Sequence, residues 1–319
     1  MGEFDLIARY FQRPARNAVL GVGDDCALLA PWPGHHLAMS TDSLVEGRHF
    51  LPTVNPVHLG HKALAVNLSD LAACGAKPRA FLLALTLPRA DETWLSGFAQ
   101  GLWSLADTCG CELVGGDTTQ GPMNINITVI GDVPSGQALL RSGAQVGDDI
   151  YVSGTLGDAR LALDVFRGRL SVPEAVFSSA RARMEQPTPR VALGMALRGI
   201  ASAAADISDG LLGDLGHILT ASRVGAELQA EAALPLLACG PQLNLPRSAQ
   251  LELVLAGGDD YELVFTAPPH HSAAVQAAAR ASQTPVTRIG GVRAGHGLQI
   301  VDAHGHAQTQ QFKSFDHFA

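Results

Sequence analysis

The sequence predicts a two-domain α/β protein. With 319 residues, the chain exceeds the length at which a single hydrophobic core usually keeps growing. Strand-like and helix-like patterns of apolar residues alternate along both halves, and the alternation starts again near residue 148. Apolar residues make up 47% of the chain and charged residues 16%, which is typical of a fully folded globular protein. We therefore expect two domains, residues 1–148 and 149–319.

The first half begins with a short amphipathic helix over residues 3–12. A strand follows in HHLAMSTDSLVEG (35–47), and we expect it to stop at a polar turn. Residues 55–78 carry apolar side chains at helical spacing, and this helix is expected to end near Gly75 and Pro78. The remaining predicted elements of this half are a strand (79–87), a helix (91–110) and two strands (111–117 and 123–133).

The second half repeats the alternation. A strand over residues 148–154 leads into a helix whose glycine-rich entry, GTLGD, leaves backbone N–H groups free for an anion. The remaining predicted elements are strands at 202–208, 261–268 and 286–292 and helices at 209–219 and 270–282. The pattern does not reveal the order of the strands in either sheet.

Charge and composition exclude several classes of protein. The formal net charge of -8, without a basic cluster, argues against a nucleic-acid-binding surface. The most apolar run, AFLLALTL (80–87), is too short to span a membrane, and the N-terminus lacks the layout of a signal peptide. The five cysteines are scattered, and Cys109 and Cys111 lack a second pair that would complete a zinc site. We therefore expect a cytoplasmic protein with free thiols.

Nine aspartates occupy positions where surface solvation does not explain them. Each is expected to end a strand, start a turn or lie on an apolar helix. Asp70 stands out because its neighbours Leu68, Leu71 and Ala72 are expected to be buried, and an unpaired buried carboxylate is costly. Basic residues are too few and too distant in sequence to neutralise the whole set. The nine are Asp24, Asp25, Asp42, Asp70, Asp117, Asp206, Asp209, Asp259 and Asp260.

Divalent cations are the partners that most simply neutralise the charge of these aspartates. The candidate ligands are carboxylates and the hydroxyls of Ser40, Thr41 and Ser208, and such all-oxygen sets select hard ions such as Mg²⁺. Because Mg²⁺ usually shares its coordination with phosphates, the pattern favours a nucleotide complex. A structural Ca²⁺ ion is the rival interpretation, although no EF-hand loop is present. Taken singly, GDD and STD are equally compatible with plain turns and caps, SDG is best explained as a plain N-cap, and GGD and GGDDYEL favour strand-end turns. The metal interpretation therefore depends on these motifs occurring together.

Eight motifs in order resemble one family over essentially the whole chain. They are GVGDDCALL, STDSLVEGRHF, KALAVNLSDLAACGA, LVGGDTT, RSGAQVGD, DISDGLLGDL, GGDDYEL and the terminal FDHF. This order is similar to that of the bacterial thiamine-monophosphate kinases, in the superfamily of aminoimidazole ribonucleotide synthase. The P-loop and protein-kinase motifs are missing, so phosphates would be bound in another way.

The resemblance implies a two-domain synthase-like fold and a thiamine-phosphate kinase. The expected reaction is ATP-dependent phosphorylation of thiamine monophosphate to thiamine diphosphate, with several Mg²⁺ ions. The resemblance also implies a homodimer whose N-terminal sheets pair, and neither nucleic acid nor membrane is an expected partner. The alternatives are another ATP-using enzyme of the same superfamily and a non-catalytic nucleotide or divalent-ion sensor.

The resemblance also assigns roles to individual residues. Asp117 belongs to two groups, the metal ligands and the nucleotide contacts. Substrate contacts would come from His49, Asp259 and Phe315, and nucleotide contacts from Gly116, Asp117, Arg141 and Ser208. The metal ligands would be Asp25, Ser40, Thr41, Asp42, Asp70, Asp117, Asp206 and Asp209.

Two of these positions depart from the family pattern. Aspartate at Asp259 replaces the usual glutamate, which shortens the reach of the carboxylate by one methylene. Phenylalanine at Phe315 replaces the usual tyrosine or tryptophan, which keeps a stacking face for a heteroaromatic cation but removes a polar group.

The chemistry of the implied substrates predicts a direct transfer. The acceptor is a phosphate monoester that is largely ionised at neutral pH, so its attack needs no strong general base. The obstacle is repulsion between two polyanions, which divalent cations and Arg141 would relieve. Since no nucleophile set is evident, we expect in-line transfer without a phosphorylated enzyme, and we assign no catalytic residue beyond the metal and phosphate ligands.

Overall fold

The computed structural model describes residues 2–23, 25–308 and 312. The chain divides into two compact units. The first contains residues up to 71 together with 76–136, and the second contains residues 72–75 together with the chain from 137 onward. Helices and strands alternate in both units, as the sequence predicts. Within the described residues, no helix is both long and apolar enough to cross a membrane.

The first unit is built on a four-stranded sheet. Its strands lie in the order β1-β4-β2-β3, with β4 antiparallel to both β1 and β2, and β3 parallel to β2. Helix α1 continues into one short stretch of π-helix, Ile7–Phe11. The elements are α1 (Glu3–Leu6), β1 (His35–Val45), α2 (Pro56–Ala73), β2 (Lys77–Leu87), α3 (Glu92–Cys109), β3 (Glu112–Gln120) and β4 (Asn124–Pro134).

The two faces of this sheet differ. On β1, Ser40 and Asp42 lie towards α2, because they hydrogen-bond to side chains of that helix. The alternate positions Leu37 and Met39 are 54% and 67% exposed. The first unit therefore buries one sheet face beneath helices and leaves apolar side chains exposed on the other.

Helices α2 and α3 approach each other at two glycines. A Cβ atom on Gly60 would lie 2.0 Å from the carbonyl oxygen of Phe98, and one on Gly101 would lie 1.8 Å from that of Val57. Side chains at these positions would push the helices apart.

The Asp91 carboxylate caps the start of α3. It accepts the backbone N–H groups of Thr93 and Trp94, both at 3.0 Å.

The second unit is built on a six-stranded sheet. The order is β10-β7-β9-β5-β8-β6, and all neighbours are antiparallel except β10 and β7. Its strands are β5 (Asp149–Ser153), β6 (Ala203–Ile207), β7 (Gly225–Gln229), β8 (Glu262–Ala267), β9 (Val286–Arg293) and β10 (Gly297–Val301). Its helices are α4 (Asp158–Phe166), α5 (Glu174–Glu185), α6 (Val191–Ala196), α7 (Leu211–Ser222), α8 (Ala230–Ala233), α9 (Arg247–Ala256) and α10 (Ser272–Ala281).

Both faces of this second sheet are buried. Ile150 and Val152 of β5 belong to one apolar cluster, whereas Tyr151 between them stacks on Phe265 of β8 in another. This explains why its strands are nearly continuous apolar runs in the sequence.

One predicted strand end is wrong, because β3 does not end at Asp117 but continues to Gln120. Strand β1 ends at Val45, within the predicted segment 35–47, and Asp42 lies inside this strand rather than at its end. Pairing with β4 and with β2 extends both strands through their polar residues. The elements that were not predicted from the sequence are α5, α6, α8, α9, β7 and β10.

Candidate active site

The first group of site residues joins β1 to α2. The Ser40 hydroxyl donates a hydrogen bond to Asp70 Oδ2, and the backbone N–H of Asp42 donates to Asn67 Oδ1 at 3.0 Å. Asp70 is half-buried rather than fully buried as the sequence predicted, because it lies in the last turn of α2 facing this strand. Asn67, which is buried, was missed by the sequence analysis.

Thr41 points to the other face of the sheet. Its hydroxyl donates to the carbonyl oxygen of Ile127 at 3.1 Å and contacts the Thr128 hydroxyl at 3.0 Å. Alternation along β1 therefore prevents Thr41 from sharing an ion through its side chain with Ser40 and Asp42.

His49 lies just after β1. Its Nδ1 accepts the N–H of Val45 at 3.0 Å, and its own N–H donates to the Val45 carbonyl at 3.0 Å. Because Nδ1 is an acceptor, the neutral ring carries its proton on Nε2. The turn therefore fixes the tautomer of His49 and makes Nε2 a donor.

A second group lines a cavity of about 1020 Å³ within the first unit. Asp25 and Asp117, both exposed, contribute to its wall together with Gly115 and Gly116. Gly116 has φ of 147°, and a Cβ atom there would lie 1.9 Å from the carbonyl oxygen of Leu83. Only glycine fits at this point of β3, which brings the strand close to β2 beside Asp117.

The sheet order separates Asp42 from Asp117. Asp42 is opposite Ile127, Ile127 is opposite Leu83, and Leu83 is opposite Gly116. Three steps of about 4.8 Å between strands place the two edges about 14 Å apart. One ion cannot bridge these two carboxylates within a single first unit.

In the second unit, Asp206 is buried near the end of strand β6, and the turn between β6 and α7 carries Ser208 and Asp209. Its backbone is held by Asp214, a residue that the sequence analysis did not single out. Asp214 Oδ2 accepts the N–H groups of Ser208, Asp209 and Gly210 at 3.0, 3.1 and 3.1 Å. Burial raises the pKa of the Asp214 carboxyl to about 6, although the three N–H groups oppose the shift.

The plain-cap interpretation of SDG is therefore not what the structure shows. Gly210 is the N-cap residue of α7 and provides no side-chain cap, while Asp214 from the first turn of the helix accepts the N–H groups of Gly210 and of the two residues before it. The four-residue spacing between Gly210 and Asp214 is the sequence feature that could have predicted this hydrogen bond.

The segment GGDDYEL forms a tight turn beside that one. Asp259 and Tyr261 have φ of 72° and 53°, a left-handed conformation that aspartate tolerates better than most residues. Asp260 is 2% exposed, and its Oδ2 accepts the N–H of Gly157 at 2.9 Å. Burial raises the pKa of the Asp260 carboxyl well above its ordinary value.

Glu262 is fully buried and is a structural acid. Its carboxylate accepts hydrogen bonds from Arg183 at 2.8 Å, from Arg190 at 2.6 and 2.5 Å, and from the Ser153 hydroxyl at 2.6 Å. Removing one partner of such a buried pair typically costs 3–5 kcal/mol, so this network holds β8 to α5 and its neighbours.

The expectation of a free anion site at the entry to α4 is wrong at Gly157. Its N–H already donates to Asp260, so a side chain of the protein occupies the position expected for a bound anion. The neighbouring N–H of Leu156 donates to the Leu236 carbonyl at 2.9 Å. The glycine-rich segment before α4 is therefore hydrogen-bonded to other parts of the second unit.

Arg141 lies beside the C-terminal end of α7, whereas Ser208 precedes the N-terminal end of this helix. Its carbonyl accepts the Ser222 hydroxyl at 3.1 Å, and its side chain is exposed. The twelve residues of α7 span about 18 Å at 1.5 Å per residue, which separates the backbones of Arg141 and Ser208. Asp24 and Phe315 lie outside the described residues.

The donor chemistry fits Mg²⁺, but the structure shows only small groups of donors. Among residues 2–23, 25–308 and 312, no three Asp, Glu, His or Cys side chains form a metal-binding group. Mg²⁺ is commonly held by one or two carboxylates together with substrate phosphates, so small all-oxygen groups suit it. The convergence of all the acids on common ions stays a prediction.

Comparison with known proteins identifies the family. The family models for the N-terminal and C-terminal domains of AIR synthase related protein match residues 23–133 and 145–303. The chain therefore belongs to the AIR synthase related family, a class of two-domain α/β proteins. Its relatives there are thiamine-monophosphate kinases.

The thiamine-monophosphate kinase of Salmonella typhimurium is 46% identical over 323 aligned residues, covering 100% of this chain and 98% of that protein. The crystal structure of thiamine-monophosphate kinase from Stenotrophomonas maltophilia K279a superposes with a TM-score of 0.85 at 44% identity, covering 96% of both chains. A structure described as AaThiL complexed with AMPPCP and TMP has a TM-score of 0.76 at 30% identity, covering 91% and 89%.

Proposed function

We propose that this protein is a thiamine-monophosphate kinase that transfers a phosphoryl group from ATP to thiamine monophosphate, forming thiamine diphosphate. The observation that carries this proposal is 46% identity to a curated kinase of that name over the full length of the chain. A relative with the same fold has been crystallised with AMPPCP, an ATP analogue, and TMP, which supports ATP and thiamine monophosphate as the two substrates.

The proposed metal ligands come from both units. In the first unit, Ser40 and Asp70 are joined by a hydrogen bond, Asp42 lies two positions along the same strand face, and Asp25 and Asp117 line one cavity. In the second unit, Asp206 lies near the end of strand β6 and Asp209 lies on the turn that follows this strand. Thr41 is the weakest fit because its hydroxyl already donates to Ile127.

Mg²⁺ held by these oxygens would screen the negative charge of the two phosphate substrates and stabilise charge on the transferring group. The protein positions the reactants. Gly116 lets the backbone approach closely beside Asp117 on the nucleotide side, and Ser208 and Arg141 are the further proposed nucleotide contacts. Because the acceptor phosphate is itself an ionised nucleophile, a direct in-line transfer needs no side chain to remove a proton.

The proposed contacts to thiamine monophosphate are His49, Asp259 and Phe315. The Nε2–H of His49 is suited to donate to a phosphate oxygen, since Nδ1 is engaged by Val45. The carboxylate of Asp259 is suited to the cationic part of thiamine, and the left-handed turn supports its placement.

A homodimer formed through the N-terminal sheets accounts for two features of the first unit. Leu37, Met39 and Val45 expose apolar surface on one face of β1, at 54%, 67% and 41%. Pairing of the β1 edge of one copy with the β3 edge of another removes the separation between Asp42 and Asp117, because the two edges then adjoin. The proposed location of the enzyme is the cytoplasm, where its five cysteines stay reduced.

The decisive experiment measures ADP formation by the purified protein with ATP, Mg²⁺ and thiamine monophosphate. ADP formation that requires thiamine monophosphate, with thiamine diphosphate as product, supports the proposal. Absence of both products at saturating substrates overturns it and favours another member of the superfamily or a sensor. A second measurement uses ATP labelled on its γ-phosphate, and a labelled protein isolated during turnover would refute direct transfer.

A further inference from the structure

The turn between β6 and α7 is held by one carboxylate oxygen. We propose that Asp214 is a positioning residue for the kinase reaction, which fixes the backbone of residues 208–210 and so sets the placement of Asp209 and of the neighbouring Asp259. The inference rests on the proposed function, because Ser208 and Asp209 are the proposed nucleotide and metal contacts of that turn.

The hydrogen bonds at this turn are unusually concentrated. Asp214 Oδ2 accepts three consecutive backbone N–H groups, from Ser208, Asp209 and Gly210, at 3.0 to 3.1 Å. Three donors on one oxygen determine the direction of three successive peptide planes. The geometry is possible because Gly210 adopts φ of 116°, which other residues rarely reach.

Burial makes this arrangement hard to replace. Asp214 is 5% exposed, and Gly210 is also buried. Loss of the acceptor would leave the buried N–H of Gly210 and the half-buried N–H groups of Ser208 and Asp209 without this partner, so truncation of Asp214 favours a rearranged turn. The rearrangement would alter the turn that carries the proposed ligands and leave the sheet and the apolar core in place.

The turn at residues 208–210 and the strand end before it are hydrogen-bonded to the segment GGDDYEL. The N–H of Asp259 donates to the Ser208 carbonyl at 2.7 Å, and that of Tyr261 donates to the Ile207 carbonyl at 2.9 Å. A Cβ atom on Gly258 would lie 2.5 Å from the Ser208 carbonyl oxygen, so the two segments are in close contact. A change at Ser208 therefore reaches Asp259, and metal binding and substrate binding would change together.

The same contacts assign a role to the side chains on the turn. Gly210 is the N-cap residue of α7, so the hydroxyl of Ser208 and the carboxylate of Asp209 do not serve as its cap. The N–H groups of residues 208–210, which precede the first residue of α7, already donate to a protein carboxylate, so those three groups are not available to a phosphate.

Two variants test the proposal, Asp214→Ala and Asp214→Asn. Alanine removes the acceptor, whereas asparagine keeps one oxygen of similar position without the charge and decides the question if the alanine variant fails to fold. The matched control is Asp164→Asn. Asp164 is also a buried helical carboxylate of the second unit, 8% exposed, but it pairs with Arg160 and Arg169 away from the turn.

Three measurements are made on each purified protein. Hydrogen exchange reports the protection of the amides of residues 208–210. Calorimetry reports ADP affinity as a function of Mg²⁺ concentration, and steady-state kinetics gives kcat, both KM values and the Mg²⁺ concentration for half-maximal rate. Residues that orient metal ligands typically change metal affinity or activity by 10- to 100-fold.

We expect Asp214→Ala to lose protection at residues 208–210 and to raise the half-saturating Mg²⁺ concentration about 10- to 100-fold, with a higher KM for thiamine monophosphate. The asparagine variant should shift in the same direction by a smaller factor. Asp164→Asn should lower the melting temperature without changing Mg²⁺ half-saturation.

Either of two results overturns the inference. One is wild-type exchange at residues 208–210 in a folded Asp214 variant. The other is lost protection with Mg²⁺ dependence and kinetics within twofold of wild type. If the wild-type protein lacks kinase activity, the proposed function fails, whereas calorimetry with ADP and Mg²⁺ still decides whether Asp214 positions the turn.

Discussion

The hydroxyl of Ser40 donates a hydrogen bond to the carboxylate of Asp70, thirty residues further along the chain. This contact joins the middle of strand β1 to the last turn of α2 and fixes the direction of the Asp70 side chain. This fixed direction suits the proposed metal role of Asp70.

We expect Asp70→Asn to lower kcat by about 100-fold or more at saturating ATP, because the amide keeps the shape but loses the charge that binds Mg²⁺. The measurement is ADP formation, with circular dichroism and urea unfolding to verify the fold. Asp107→Asn is the control, since Asp107 is an exposed helical acid of the same unit. Near-normal turnover in Asp70→Asn would remove this residue from the metal site.

Asp259 occupies a left-handed backbone conformation, which asparagine also tolerates. We therefore expect Asp259→Asn to fold normally but to raise the KM for thiamine monophosphate about tenfold, because a charged contact to the substrate is lost. The KM for ATP should change by less than twofold. An unchanged KM for thiamine monophosphate would contradict the proposed substrate contact.

Met39 is 67% exposed on the open face of the first sheet. If that face pairs in a homodimer, Met39→Lys should convert the protein to a monomer, because each interface would bury two unpaired charges. Light scattering coupled to size-exclusion chromatography measures the mass directly. Val146→Lys, at a residue that is 59% exposed in the second unit, should leave the mass unchanged. A wild-type monomer would refute the pairing itself.

The buried carboxyl of Asp260 predicts a pH dependence of stability. Burial raises its pKa above the ordinary value of 3.8. The folded state therefore binds this proton more tightly than the unfolded chain does. Its contribution is complete below the unfolded pKa and is lost as pH rises through the folded pKa.

We expect the free energy of unfolding of Asp260→Asn to fall less than that of the wild type between pH 5 and pH 8. Asparagine stays neutral and can still accept the N–H of Gly157. Urea unfolding in the presence of a chelator measures the slope without coupled Mg²⁺ binding. Equal slopes for the two proteins would show that Asp260 does not carry the pH dependence.

Local pattern was sufficient for much of the fold. The apolar spacing of residues 55–78 predicts α2, and the caps at Asp91 and Gly110 explain why α3 begins and ends where it does. Asp70 could be selected because a carboxylate among helical apolar residues is conspicuous in one dimension. The family relationship was readable because the motifs occur in a fixed order along the chain.

The tertiary structure decided which residues meet. Strands β1 and β3 extend through Asp42 and Asp117 because pairing with neighbouring strands outweighs the turn preference of polar residues. The order of the sheet places these two acids on opposite edges, and the importance of Asp214 depends on a fold that brings its oxygen to three backbone N–H groups. The types of residue available for phosphate and metal chemistry can be read from the chain alone, since composition and spacing are local properties. Their grouping depends on contacts between segments distant in the chain, and only the folded structure contains that information.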